Sequence, residues 1–163
     1  MKFKGHVLSI GALLELPDDP SSPQVVGPPR IVHTAAGNAR RVAQLIAEGE
    51  SLESCWRFGI LQTLDDYVST SKRGGSAVAS GVFSEEPAPT GAAELDAAFA
   101  ALADHLAGRD GWEAPAWAAS PERRVDSWYP SVPSIFREEA ERDSPRAFRQ
   151  RGILITGRSL ARA

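Results

Sequence analysis

Apolar residues return every fourth position at Leu52, Trp56, Ile60, Leu64 and Val68, with Glu53, Arg57, Asp65 and Asp66 falling between them. This spacing lays one apolar stripe along a helix and makes this the most strongly patterned helix of the chain. Ser51 stands where a side-chain oxygen can take a free N–H of its first turn. A helix also fits Thr34 to Glu48, with Ala35, Ala39, Val42 and Ile46 on one face and Arg40, Arg41 and Gln44 away from it; Gly49 closes it. The short connection to Ser51 predicts an antiparallel pair. A third helix follows from Leu95, Phe99, Leu102 and Leu106, with Glu94, Asp96, Asp104 and Arg109 on its other faces and Gly108 or Gly111 at its end.

Between these stretches the periodicity breaks. Phe3, Val7, Leu8 and Ile10 read as a strand or a short irregular arm, and residues 17–30 form a Pro-rich loop, because proline lacks the backbone donor that helix and sheet need. Residues 72–91 contain SKRGGSAVASG and SEEPAPTG, a small, polar, breaker-rich composition that predicts a flexible connector and a hinge. Ser134 should begin a short charged helix, anchored by Ile135 and Phe136. Ser144 followed by Pro145 is a helix entrance, Gly152 permits a reversal, and Ile153 to Thr156 read as a strand too short to stand alone. The fold class predicted is mainly α: a single helical domain over residues 1–163 with a short β element near the termini.

Composition narrows the class. The chain has 163 residues, is 42% hydrophobic and carries a formal charge of -3, enough for one sizeable core. That charge disfavours both a surface built throughout for phosphate and a strongly acidic nucleic-acid mimic. Arginine outnumbers lysine fifteen to three, a bias that GC-rich coding also produces. The one cysteine, Cys55, excludes an intramolecular disulfide, and a reduced, cytoplasmic protein is expected. No apolar run approaches the ~20 residues of a membrane span, so no membrane partner is expected.

The motifs with a mechanical warrant for nucleotide, acyl-transfer or metal chemistry are absent: there is no Gly-rich phosphate loop, GxSxG, HExxH or CxxC. His6, His33, His105 and Cys55 match no compact ligand spacing. Asp65 with Asp66, and Glu138, Glu139 and Glu141, read as solvated faces rather than acid–base pairs. Catalytic, metal and cofactor residues are therefore left unassigned, and an enzyme with an unfamiliar site is the least favoured class. A helix-turn-helix reading of residues 34 to 70 has the right parts, but the second helix sets Glu53, Asp65 and Asp66 against Arg57 on what would be its groove face.

Two features remain as candidates for function. Trp112, Trp117 and Trp128 fall within seventeen residues among prolines; they either anchor a partner or pin a Pro-rich connection to the helices. The last twenty residues hold Arg146, Arg149, Arg151, Arg158 and Arg162 without an acid. In the plainer reading of this tail, Phe148, Ile153 and Ile155 complete the core and its arginines are solvated. The candidate partner-binding set is Trp112, Trp117, Trp128, Tyr129, Phe148, Arg149 and Arg151. For DNA the set is Arg40, Arg41, Arg146, Arg149, Arg151 and Arg158.

The stretch from LDAAFAALADHLAGRDGWEAPAW to SPRAFRQRGILITGRSLARA resembles the C-terminal half of a family of small actinobacterial proteins of poorly defined function. The likeness covers roughly residues 83 to 163, most clearly 92–163, and is weaker in the helix pair at 34 to 70. Some relatives resemble regulators or the antitoxin halves of two-gene modules. The resemblance implies a bacterial regulatory or neutralising protein. The expectation is thus a non-catalytic, antitoxin-like protein that binds a cognate protein, a homodimer being compatible with the sequence, with a DNA-binding transcriptional regulator as the alternative.

Overall fold

In the computed structural model, which describes residues 31–161, Thr34 opens the first helix by accepting the Gly37 amide on its hydroxyl at 3.1 Å. This helix, α1 (Ala35–Ala47), ends at a turn in which Gly49 takes a φ of 88°. Ser51 then accepts the Ser54 amide and starts α2 (Leu52–Cys55). Without a break the chain widens into a π-helical stretch, Trp56–Leu61, and continues as α3 (Gln62–Ala79). At its end the Gln62 N–H reaches the Arg57 carbonyl, five residues back. The stripe through Trp56, Ile60 and Leu64 is buried as the spacing predicted.

The widened turn brings Gly59 between two neighbours. A Cβ there would lie 2.5 Å from Val42 of α1 and 3.4 Å from Phe99. Phe99 belongs to α4 (Ala93–Asp110), which is buried at every residue from Ala97 through Ala103. The predicted stripe of Leu95, Phe99, Leu102 and Leu106 is there, but the alanines bury the other faces too, so α4 is an axis that the other elements surround. Gly111, at φ 76°, closes it.

The chain is mainly helical, as expected, with several local departures. Residues 72–91 are more structured than a flexible connector. The α3 helix passes through their first part, interrupted at Gly75 (φ 82°), and a 3-10 turn, Ser80–Phe83, follows. Ala79, Val82 and Phe83 are fully buried; two apolar anchors outweigh the small, polar residues around them. Ile135 and Phe136 are not anchors. They are 79% and 36% exposed, on the 3-10 turn Ser134–Phe136 that precedes α5 (Arg137–Asp143). Ser144 does not cap α6 (Arg146–Arg149), which has no side-chain cap. Its hydroxyl instead donates to the Ile153 carbonyl and accepts the Ile155 amide.

Those bonds also explain the missing strand. The Ile153 amide goes to the Phe148 carbonyl and the Ile155 amide to Ser144, leaving too few free groups for a ladder. Among the described residues the β pairing is one isolated parallel bridge, Trp128 with Ile153. The arm expected over the first sixteen residues, the loop at 17–30, His6 and Arg162 lie outside the described residues.

The bridge depends on Gly152, which sits at φ 76° with the Val125 carbonyl directly over the position a Cβ would take. Gly152→Ala is expected to destabilise the protein by about 2–4 kcal/mol, the sum of left-handed strain and a backbone collision. Gly108→Ala, in α4 with open space around it, should instead stabilise by up to about 1 kcal/mol. Urea unfolding of the two variants measures both.

Candidate functional site

The three clustered tryptophans pack inward. Trp128 meets Trp56 edge to face at 5.7 Å between centroids, and Trp56 meets Phe148 at 6.4 Å. Trp112 stacks on Phe83 at 5.9 Å and donates its N–H to the Tyr67 hydroxyl at 2.8 Å. Trp117 donates to the Phe83 carbonyl, and the Arg123 guanidinium covers its ring at 5.1 Å. Each tryptophan thus ties an irregular segment to a helix. Phe148 is fully buried, so in the folded chain it is a core residue rather than a contact residue. Tyr129 stays partly exposed, donating to Glu141 at 2.7 Å under the Arg137 guanidinium.

The arginines of the tail divide. Arg151 is only 8% exposed and bonds to Asp104, the Ala147 carbonyl and the Ala118 carbonyl. It corrects the expectation of a solvated or ligand-binding side chain: its donors face the protein's own oxygens. Arg149 is exposed but donates to the Ser144 carbonyl at 2.8 Å. Arg146 and Arg158 are exposed. Arg40 pairs with Glu85 on a different element, and Arg41 is exposed beside it on α1.

No family profile, curated protein or solved structure matches the chain. The site therefore has to be read from its own geometry. Two clefts adjoin α4 and α6. The first, about 340 Å³, is lined by Asp104, His105, Arg109, Arg146 and Gln150 among others; the second, about 460 Å³, by Asp104, Ser120, Arg124, Gln150 and Arg151 among others. Asp104 and Gln150 line both, so the two clefts are neighbours that share these side chains, a groove in two parts. His105 lies against the Phe148 ring at 5.8 Å; burial and then Arg109 hold its pKa below the usual imidazole value, leaving it neutral at pH 7. Neither Asp104, His105 nor Gln150 carried a sequence signal, since the groove joins positions 47 residues apart.

A separate surface was also invisible in the sequence. Ile135 and Phe136 stand exposed on a segment pinned at both ends. Before them, Ser131 takes a φ of 52° while its amide and hydroxyl both donate to the Glu53 carboxylate. After them, Glu141 receives the Tyr129 hydroxyl. Among the described residues no helix is long and apolar enough to cross a membrane.

Beside the groove, Asp110 accepts two bonds from Arg109, at 2.7 and 2.8 Å, and one from the Tyr67 hydroxyl at 2.7 Å. Arg109 first, and Tyr67 after it, hold the Asp110 carboxyl down at about 2, against the effect of burial. Burial, and then Asp110, push the Tyr67 hydroxyl up to about 12. A carboxyl whose pKa is depressed by folding stabilises the folded state above its unfolded value and loses that contribution as pH falls through the folded one. The stability of the wild-type protein should therefore fall between about pH 4 and pH 2, and Asp110→Asn should flatten this part of the profile. Tyr67→Phe, which leaves the Trp112 N–H without its acceptor, should cost about 1–3 kcal/mol at neutral pH. Denaturant melts across pH check both.

Proposed function

We propose that the chain is a non-catalytic, cytoplasmic regulatory interaction protein, antitoxin-like in that it binds and neutralises a cognate protein, with the Ile135–Phe136 edge as its contact surface. The observation that carries this reading is the exposure of two adjacent large apolar side chains on a backbone held in place by Glu53 and Glu141. Isolated exposed apolar residues are ordinary, whereas a fixed pair pays its ordering cost before a partner arrives. The antitoxin-like part of the reading rests on the likeness of the C-terminal half to a family of poorly defined function, some of whose members resemble regulators or antitoxins.

The surrounding charge specifies the partner. Arg137, whose guanidinium lies over the Tyr129 ring, follows the apolar pair directly; Glu138, Glu139, Glu141 and Asp143 come after it and outnumber the cations, and Arg142 is engaged with Asp143 at 2.9 Å. A partner that fits presents an apolar pocket with a basic rim, the pocket supplying affinity and the rim discrimination. The tryptophans act one step back: Trp128 holds its end of the segment to Trp56.

The test is capture of the partner from the native host, followed by binding measurements with the purified pair. One stoichiometric protein should be retained by the wild-type chain, and its affinity should drop at least about tenfold for Ile135→Asp and Phe136→Ser, with unchanged melting temperature because neither residue is in the core. Undiminished binding by both variants would remove this surface from the reading. Enrichment of DNA without a protein, falling steeply with salt and with loss of Arg146 and Arg149, would instead establish the DNA-regulator alternative.

A further inference from the structure

The groove beside α4 and α6 has an uneven charge balance that its internal pairs do not remove. Arg151 is matched by Asp104 at 2.9 Å, and Arg109 by Asp110 at 2.7 Å. That leaves Arg146 in the first cleft and Arg124 in the second, both exposed and neither in an ion pair or hydrogen bond through its guanidinium among the described residues. One uncommitted cation thus faces each half of the groove. The halves meet at Gln150 and Asp104, where neutral donors and a carboxylate replace the cations.

This order, cation, polar middle, cation, defines a ligand. Each cleft falls within the about 300–1,000 Å³ typical of small-molecule sites. A guanidinium presents paired donors that match a carboxylate or phosphate group. The middle is different: Asp104, which lines both clefts and uses Oδ2 for Arg151, has a second carboxylate oxygen that can accept from a ligand hydroxyl. Gln150, also common to both clefts, offers an amide donor and acceptor there, and Ser120 adds a hydroxyl in the second cleft. Neutral His105 adds an imidazole to the first cleft without adding charge.

We propose that this groove binds a small molecule with an anionic group at each end and a hydroxyl-bearing middle, one anionic group on Arg146, the other on Arg124, and the hydroxyls on Asp104 and Gln150. The anionic groups are phosphates or carboxylates. Such a ligand would fasten α6 to the segment that follows the 3-10 turn Ala116–Ala119, and Arg151 already joins α6 to that turn through the Ala147 and Ala118 carbonyls.

The experiment is calorimetric titration of the full chain with fructose 1,6-bisphosphate, with tartrate, and with inorganic phosphate as a single-anion control. At least one of the first two should bind at least about tenfold more tightly than phosphate, and the tighter of them identifies phosphate or carboxylate as the anionic group. Arg124→Glu and Arg146→Glu should each weaken that binding at least about tenfold while leaving the melting temperature unchanged, since neither guanidinium has a partner to lose. Arg158→Glu, outside the groove, should leave it unaltered. Failure of both two-ended anions to bind overturns the proposal, as does binding that phosphate equals or that Arg158→Glu reduces as much as the groove variants do.

Discussion

The structure depends on burying α4 from all sides. A helix with one apolar stripe needs one neighbour, but from Ala97 to Ala103 no residue of α4 meets solvent, so covering must arrive from every direction. The alanines make this possible, because a methyl side chain lets neighbouring backbones approach closely. The π-helical stretch covers one side, α6 another, and the 3-10 turn Ala116–Ala119 a third. Most of the chain's irregularity follows from that demand. The widened turn seats Gly59 against Val42 and Phe99, where an ordinary side chain would not fit. The short α6 and the isolated bridge at Ile153 are too small to stand alone and persist because Phe148, Ile153 and Ile155 are fully buried in the shared core.

Irregular covering creates a polar problem, which the arginines solve. Loops carry carbonyls that no helix or ladder satisfies. Arg123 takes the Asp96 and Pro87 carbonyls and lies over Trp117; Arg151 takes those of Ala147 and Ala118. A guanidinium has five donors in one plane and remains charged when buried, so one side chain can close several gaps at once. Both are also paired with a carboxylate, Glu86 and Asp104 respectively, which offsets the cost of removing the charge from water.

The helical framework was legible because periodicity reports burial directly. Leu52 to Val68, Leu95 to Leu106 and the cap at Ser51 were all readable from spacing and residue type, and so was the pinning role open to the tryptophans. What escaped was decided over long separations. Nothing local distinguishes Arg151, which is internal, from Arg146, five residues earlier and exposed. Nothing in SIFREEAERD says that Ile135 faces solvent, because an apolar residue at a helix start is equally suited to a core. Ser144 had the chemistry of a cap, but two groups of the returning chain, the Ile153 carbonyl and Ile155 amide, claimed its hydroxyl. The breaker-rich stretch at 72–91 misled for a related reason: composition averages over Val82 and Phe83, while packing depends on them individually.

The same long-range sorting separates structure from function in this chain. An arginine whose donors all meet the protein's own oxygens has its role set by the fold, and Arg123 and Arg151 are of that kind. Arg109 and Arg142 are paired with their neighbouring aspartates, at 2.7 and 2.9 Å, so part of each charge is offset locally. Arg124 and Arg146 are what remains around the groove after these pairings. Likewise, most large apolar side chains are buried, and Ile135 and Phe136 remain outside as an adjacent pair, with Val32 and Phe58 exposed singly. The candidate surfaces are thus the residues left over when the demands of burial and polar satisfaction have been met. In a chain without a catalytic motif, that remainder is where binding has the most freedom to act.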